Sequence, residues 1–298
     1  MVVATPAMVH HAPTKARAKP VRYYVNLILR YVLLIGIGIV LFTPFILAFL
    51  GSFKTDAEII AYPPKLLPDE WLTGNWAKVW TTNMGAGATF PRWLFNTAFL
   101  SVTIAVLEVI ACSMAAYSFA RLQYPGRDAT FSFMLATMMI PGAVTLIPAY
   151  VLMAKFKLVN TYWSLILPGI VSAGAIFMLT QFFKTIPRDL EEAAFIDGAS
   201  QIQIYKDVIL PLARPALLTV FILQFQAMWN NFLTPLLYLD SPRMWVLNVA
   251  LSVFQQQYKA AWNLTLVGAM FNALPVMLLF FFFSRYYIEG VAYAGVKG

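Results

Sequence analysis

Six stretches of this chain, 27–50, 93–119, 129–153, 162–183, 215–239 and 264–284, are each predominantly apolar over their whole length. Stretches beyond about eighteen such residues can cross a hydrocarbon core of about 30 Å as an α-helix. Lipid offers the peptide group no hydrogen-bond partner, so each stretch must satisfy its own backbone, which a helix does. Only 11% of the residues are charged, against about 25% in ordinary globular chains, and the mean hydropathy is +0.71. The fold class that follows is an all-α integral membrane protein with six transmembrane helices.

The first stretch follows a basic segment, as a signal peptide would, but a signal core has only about 7 to 15 apolar residues. The expectation is an uncleaved helix over 27–51 after a flexible tail, 1–26, that carries Lys15, Arg17, Lys19 and Arg22 and no acid. An even number of spans puts both termini on one side, and the basic tail marks that side as cytoplasmic. Most of the 21 Lys and Arg residues then fall on the cytoplasmic side, while Lys155 and Lys157, in a short outer loop, oppose the assignment. The external loop 52–92 holds Trp71, Trp76, Trp80 and the pair Pro63 and Pro64, a composition suited to a folded cap at the membrane interface. Residues 93–284 form a core of five further helices, and 285–298 a cytoplasmic tail.

Several chemistries are excluded. The chain contains no GxxxxGK[ST] loop and no HExxH, and its two histidines, His10 and His11, lie in the tail. The single cysteine, Cys112, permits neither an intrachain disulfide nor a cysteine metal cluster and reads as a packing residue. The net charge of +8 is scattered over span ends, without the basic and aromatic surface of a nucleic-acid binder. Glu108 is the one acid well inside an expected span, where comparable charges cost about 2.5 to 3.5 kcal/mol. It either belongs to a polar pathway or helix latch, or makes a protonated bond between helices. An ion-coupled secondary transporter working alone, or a membrane enzyme using Glu108, would rest on that one carboxylate.

The loop 184–214 is longer than ordinary helix connections and is patterned. Pro187 suits a first helical turn, and Asp189, Glu191 and Glu192 place acids near its positive end. Gly198 after Asp197 permits a left-handed turn. Ile202, Tyr205, Val208 and Ile209 then recur at three- and four-residue intervals until Pro211 and Pro215. The spacing predicts a helix, a corner and a second helix. Small Ala193 and Ala194 allow close approach by another surface, to which Glu192 offers a charge; the alternative is an amphipathic helix lying on lipid.

The segment "EEAAFIDGASQIQIYKDVILPLARP", 191–215, resembles the EAA loop of ABC importer permeases in its EAA, its glycine after aspartate and its downstream LP. The likeness extends through "FNTAFLSVT", "AAYSFARLQYPGR", "MIPGAVTLIPAYVLMAKFKLVNTYWSLILPGI", "WNNFLTPLLYL" and "AGVKG", covering nearly everything after residue 25. It points to the carbohydrate-uptake branch, and there to the smaller, second maltose-type permease. The resemblance implies a type I importer architecture with 184–214 as the coupling-helix loop, in the plasma (inner) membrane of a bacterium or archaeon. It implies a second homologous permease, two cytosolic ATPases that bind the ATP and Mg, and an extracellular solute-binding protein. No cofactor, metal or catalytic residue is then expected on this chain. The family glutamate that meets the ATPase cleft corresponds to Glu192, with Ala193, Ala194, Asp197 and Gly198 in the same docking patch. The tail that reaches between the ATPases corresponds to Gly295, Val296, Lys297 and Gly298. Phe195 departs from a frequent basic residue and Thr180 from a common arginine.

For substrate, Trp229, Asn230 and Asn231 combine an aromatic face with amides, a chemistry suited to a sugar, although the same residues also serve as glue between helices. Glycerol phosphate or another polyol is the alternative cargo that this branch of the family leaves open.

Overall fold

A computed structural model describes residues 21–81, 87–257 and 261–295. The expected tail therefore lies outside the described residues up to position 20. The chain divides into two units, Met1–Leu47 and Ala48–Gly298, each taken by itself. The first is α1 (Val21–Gly51) up to Leu47; the helix begins at Val21 rather than 27 and carries Pro44 within it.

The second unit opens on the last turn of α1 and continues through α2 (Asp56–Ile60), α3 (Gly74–Thr81), α4 (Phe90–Arg121), α5 (Arg127–Thr137), α6 (Gly142–Lys155), α7 (Trp163–Gly169) and α8 (Ala173–Thr185). There follow α9 (Asp189–Ile196), α10 (Gln201–Gln203), a π turn over Ile204–Ile209, α11 (Leu210–Leu212) and α12 (Arg214–Trp229). The unit ends with α13 (Leu233–Tyr238), α14 (Leu247–Gln257) and α15 (Trp262–Gly295). Among the described residues, 4 helices are long and apolar enough to cross a membrane, or 6 when each of two bent pairs counts as one span.

The bends have local causes. Between α5 and α6 the axis turns by 99°. Pro141 stands there with φ −61° and ψ 132°, and a proline both lacks the donor that would continue the helix and disfavours helical backbone before it. A second pair, Gln201–Leu212 and Arg214–Trp229, is bent by 77°. It carries the π turn, in which the Leu210 N–H reaches back to Tyr205 O, just ahead of Pro211.

The expected fifth span, 215–239, is corrected: α12 stops at Trp229, and a new helix, α13, starts at Leu233. Asn231 supplies a partner at the start of the new helix. Its Oδ1 accepts from Thr234 N (3.3 Å), while Asn230 Nδ2 adds a second donor to Gln226 O (3.0 Å), which the Asn230 N–H already reaches. The fourth span breaks likewise between α7 and α8. Gln224 Nε2 donates to Gly169 O (3.3 Å), and Cys112 Sγ accepts from Ser172 N (3.5 Å). Gly169 is required by space, because a Cβ there would lie 2.7 Å from Ile104 Cγ2. At the C-terminus, the tail expected from 285 is helical as far as Gly295.

In the second unit, α4 packs chiefly against α12 and α8. Ala116, Ala120, Ala175 and Ala216 lie buried at those faces beside Leu179, Phe183 and Val220. Lipid tails are as apolar as these side chains, so close packing and polar bonds, rather than exclusion of water, must hold such helices together. The described residues of the loop 52–92 are folded. Asn75 is buried and donates to Ser52 O (3.0 Å) and Lys54 O (3.1 Å), Trp76 donates to Ser52 Oγ (3.2 Å), and the Lys54 amine donates to Lys65 O. Thr55 and Glu58 form a capping box on α2.

Candidate functional site

The patch 189–198 is built as its local signals predict. Asp189, Glu191 and Glu192 occupy the first turn of α9, where carboxylates oppose the helix dipole favourably. The helix ends at Asp197, whose N–H bonds Ala193 O; Gly198 and Ala199 N–H groups bond Phe195 O and Ala194 O, both at 3.0 Å. Gly198 has φ +85°, and open space surrounds the position of its missing Cβ. The residue is therefore glycine for backbone reasons alone. Ser200 then starts α10 with a capping box to Gln203.

The two neighbouring glutamates point to different surroundings. About 100° separates adjacent residues around a helix, so one faces protein and the other does not. Glu191 Oε1 lies 2.8 Å from Arg121 Nε, with side chains 15% and 4% exposed, and Arg121 Nη2 also donates to Phe183 O and Ile186 O, each at 2.6 Å. Burial pushes the Glu191 carboxyl above its ordinary range, with the Arg121 guanidinium opposing that shift. Glu192 and Ala193 are exposed, and Ala194 is half-buried against the α4 and α8 core. Asp197 is exposed. Beside Glu192, Phe195 is 66% exposed and Ile196 84%, and a groove of about 500 Å³ runs past Arg188, Glu192, Phe195, Ile196 and Gln201. Exposed apolar side chains beside a carboxylate have the composition of an interaction surface. Phe195 accordingly adds apolar contact where the family often has a base. Thr180 is fully buried in the packed face of α8.

The pathway residues divide. Trp229 is 2% exposed, stacks on Phe225 with ring centres 5.3 Å apart, and donates from Nε1 to Asn272 O (2.9 Å). Asn248 Nδ2 bonds Trp229 O (3.1 Å) and Asn272 Nδ2 bonds Asn248 Oδ1 (3.0 Å). Trp229 thus belongs to a polar knot joining α12, α14 and α15 and does not line the cavity. Asn230 is exposed and caps α12. Only Asn231 lines the cavity of about 360 Å³ bounded by α4, α6, α7, α12 and α13, together with Thr145, Ser164, Gln224, Thr234 and Tyr238. The sequence reading missed these five. Gln224 and Asn231 are seven residues apart in an apolar run, the spacing of one helix face, and that was the available signal.

Glu108 is buried within α4, near Ser172 at the α7–α8 break. Gly295 is the last residue of α15, whereas Val296, Lys297 and Gly298 lie outside the described residues. No group of three or more His, Cys, Asp or Glu suited to a metal occurs among the described residues.

Residues 109–291 match the family model described as "Binding-protein-dependent transport system inner membrane component". The chain is similar to the arabinooligosaccharides transport system permease protein of Halalkalibacterium halodurans, 34% identical over 276 residues that cover 91% of this chain and 98% of that one. The sn-glycerol-3-phosphate transport system permease protein of Rhizobium meliloti is 32% identical, over 89% of this chain and 95% of its own length. The diacetylchitobiose uptake system permease protein of Streptomyces coelicolor is 31% identical, over 86% and 84%. Among solved structures, a bacterial ABC transporter involved in the import of the acidic polysaccharide alginate superposes with a TM-score of 0.75, 24% identity and coverage of 93% of this chain and 100% of that one.

Proposed function

The chain belongs to the binding-protein-dependent transport system inner membrane components, and from that premise we propose that it is the permease half of an ATP-driven importer for a neutral sugar or oligosaccharide. Its fold is that of a type I ABC importer permease. The observation that carries the reading is the exposed Glu192 with Phe195 and Ile196 in one groove beside the ordered Gly198 corner. Two cytosolic ATPases bind and hydrolyse ATP, a second homologous permease completes the pathway, and an extracellular solute-binding protein delivers the cargo. Glu192, Ala193, Ala194, Asp197 and Gly198 form the docking patch, and the segment ending in Gly298 reaches the ATPases. This chain transmits movement and performs no bond chemistry.

For cargo, relatives named for arabinooligosaccharides and for diacetylchitobiose stand beside one named for glycerol phosphate. The cavity wall favours the sugar. It offers the Gln224 and Asn231 amides, the Thr145, Ser164 and Thr234 hydroxyls and the Tyr238 phenol, and none of the described residues lining it is charged. A phosphorylated polyol would call for a cation. The test is co-expression with the genes flanking its own, followed by purification and reconstitution. Co-elution of an ATPase and ATP-dependent uptake of labelled arabinotriose or diacetylchitobiose, uncompeted by sn-glycerol-3-phosphate, is expected. Uptake by the lone chain under an ion gradient would replace this reading with a secondary transporter.

The orientation proposed places both termini in the cytoplasm and the loop 52–92 outside, in agreement with the positive-inside rule. A phosphatase reporter inserted near Asp69 should be active and one fused after Gly298 inactive. The reverse pair would overturn the topology.

A further inference from the structure

The cytoplasmic third of α4 carries Ser113, Tyr117 and Arg121, spaced four apart and therefore on one face of the helix. Each meets a different piece of the loop that follows α8, Ser113 and Tyr117 through hydrogen bonds and Arg121 through an ion pair. Ser113 Oγ lies 2.7 Å from Tyr205 Oη in the π turn, Tyr117 Oη donates to Gln201 Oε1 of α10 (2.8 Å), and Arg121 pairs with Glu191 of α9 (2.8 Å). The Tyr117 and Tyr205 rings also meet, with centres 5.2 Å apart. Arg121 adds the two carbonyls at the end of α8, so that one guanidinium joins α4, α8 and α9. All three α4 side chains are buried.

We propose that this polar edge of α4 is the strut through which displacement of the docked loop reaches the helix bundle, with Arg121 as the positioning residue and Glu191, rather than Glu192, as its anchor. The inference rests on the reading of 189–198 as the ATPase docking patch. Apolar helix contacts in lipid are not directional and tolerate sliding, whereas hydrogen bonds weaken steeply with misalignment and a partly buried ion pair weakens as its charges separate. A loop held at three points along a rigid helix must move with it. The same helix carries Ile104 into the cavity wall, seventeen residues and about 25 Å from Arg121 at 1.5 Å per residue. The adjacent glutamates thereby divide the work: Glu192 faces the ATPase and Glu191 hands its movement to α4.

The experiment uses the assembled importer. Ala227, which lines the cavity, is changed to Cys as a reporter, the native Cys112 being buried. Maleimide labelling is compared without nucleotide and with ATP plus vanadate, alongside the amount of ATPase retained. In the Ala227→Cys parent, labelling should change by about fivefold or more between the two states, as expected for a two-state population shift. In Arg121→Gln and Glu191→Ala the ATPase should remain bound while that response falls to less than about twofold, and Arg121→Lys should recover part of it. A parent-like response in these variants overturns the strut, and so does loss of the ATPase from an otherwise intact permease pair. Should Arg121→Gln fail to assemble, Tyr117→Phe decides, since it removes one hydroxyl: an unchanged response refutes the proposal and a diminished one supports it. Glu192→Lys separates the two readings, because an ATPase still bound to that variant refutes docking at Glu192 whatever the Arg121 variants do.

Discussion

Changing Glu192 to Lys is expected to lower ATPase retention by about tenfold or more while the helices insert and the second permease still co-purifies. Glu192 is exposed, and it stands on the first turn of α9 beside Phe195 and Ile196, so little inside the chain depends on it. A hydrogen bond to a charged group contributes about 1.5 to 3 kcal/mol, and tenfold in binding corresponds to about 1.4 kcal/mol. Reversal of the charge adds repulsion from a basic partner to that loss. It also sets a cation near the positive end of a helix dipole, which disfavours α9 by a further fraction of a kcal/mol, about 0.3 to 1. The measurement is the ratio of ATPase to permease after affinity purification at low and moderate salt. Retention equal to the parent's would show that the patch is an interfacial helix touching lipid.

Gly198→Val should abolish most ATP-driven uptake, by about tenfold or more, through a different route. At φ +85° a β-branched residue is a genuine outlier, and backbone strain of this kind costs of order 1 to 3 kcal/mol. Because nothing lies within 4 Å of an added Cβ, the backbone conformation is the main obstacle. The chain relieves the strain by leaving the left-handed region, which misdirects Ser200 and the α10 capping box. Gly198→Asn isolates this cause, since asparagine tolerates left-handed backbone far better than valine. Uptake close to the parent's in Gly198→Asn beside strong loss in Gly198→Val is the expected pair. Equal loss in both would point to contact with a partner instead of backbone conformation.

The corner of the loop was legible in the sequence because its determinants are local. The acids at 189, 191 and 192 and Gly198 each act within a turn or two, whereas Pro187 stands just ahead of α9 and the Ser200–Gln203 capping box appeared only in the structure. The spans were legible for a related reason, since apolar length alone decides which segments can enter lipid. The break after Trp229 was not. Asn230 and Asn231 sit in a run whose composition reads as one helix, and the new helix after them starts where Asn231 Oδ1 meets Thr234 N. The role of Trp229 stayed open for a similar reason. An aromatic beside two amides resembles a sugar site, but its N–H is taken by Asn272, more than forty positions along the chain.

The sequence by itself determined that the chain is a helical membrane protein, where the patterned loop proposed to dock lies and that the corner of the loop requires Gly198. Apolar length, proline, glycine and capping residues act on their own neighbourhood, and no knowledge of the rest of the chain is needed to read them. The tertiary structure alone decided that Glu191 turns inward to Arg121 while Glu192 stays outside. It also decided that Asn231 with Gln224, and not Trp229, lines the cavity, and that Ser113, Tyr117 and Arg121 share one edge against the loop. Each of these depends on which face of a helix is turned toward which neighbour. That choice is made by packing between segments some seventy to ninety residues apart, and helical periodicity leaves it open.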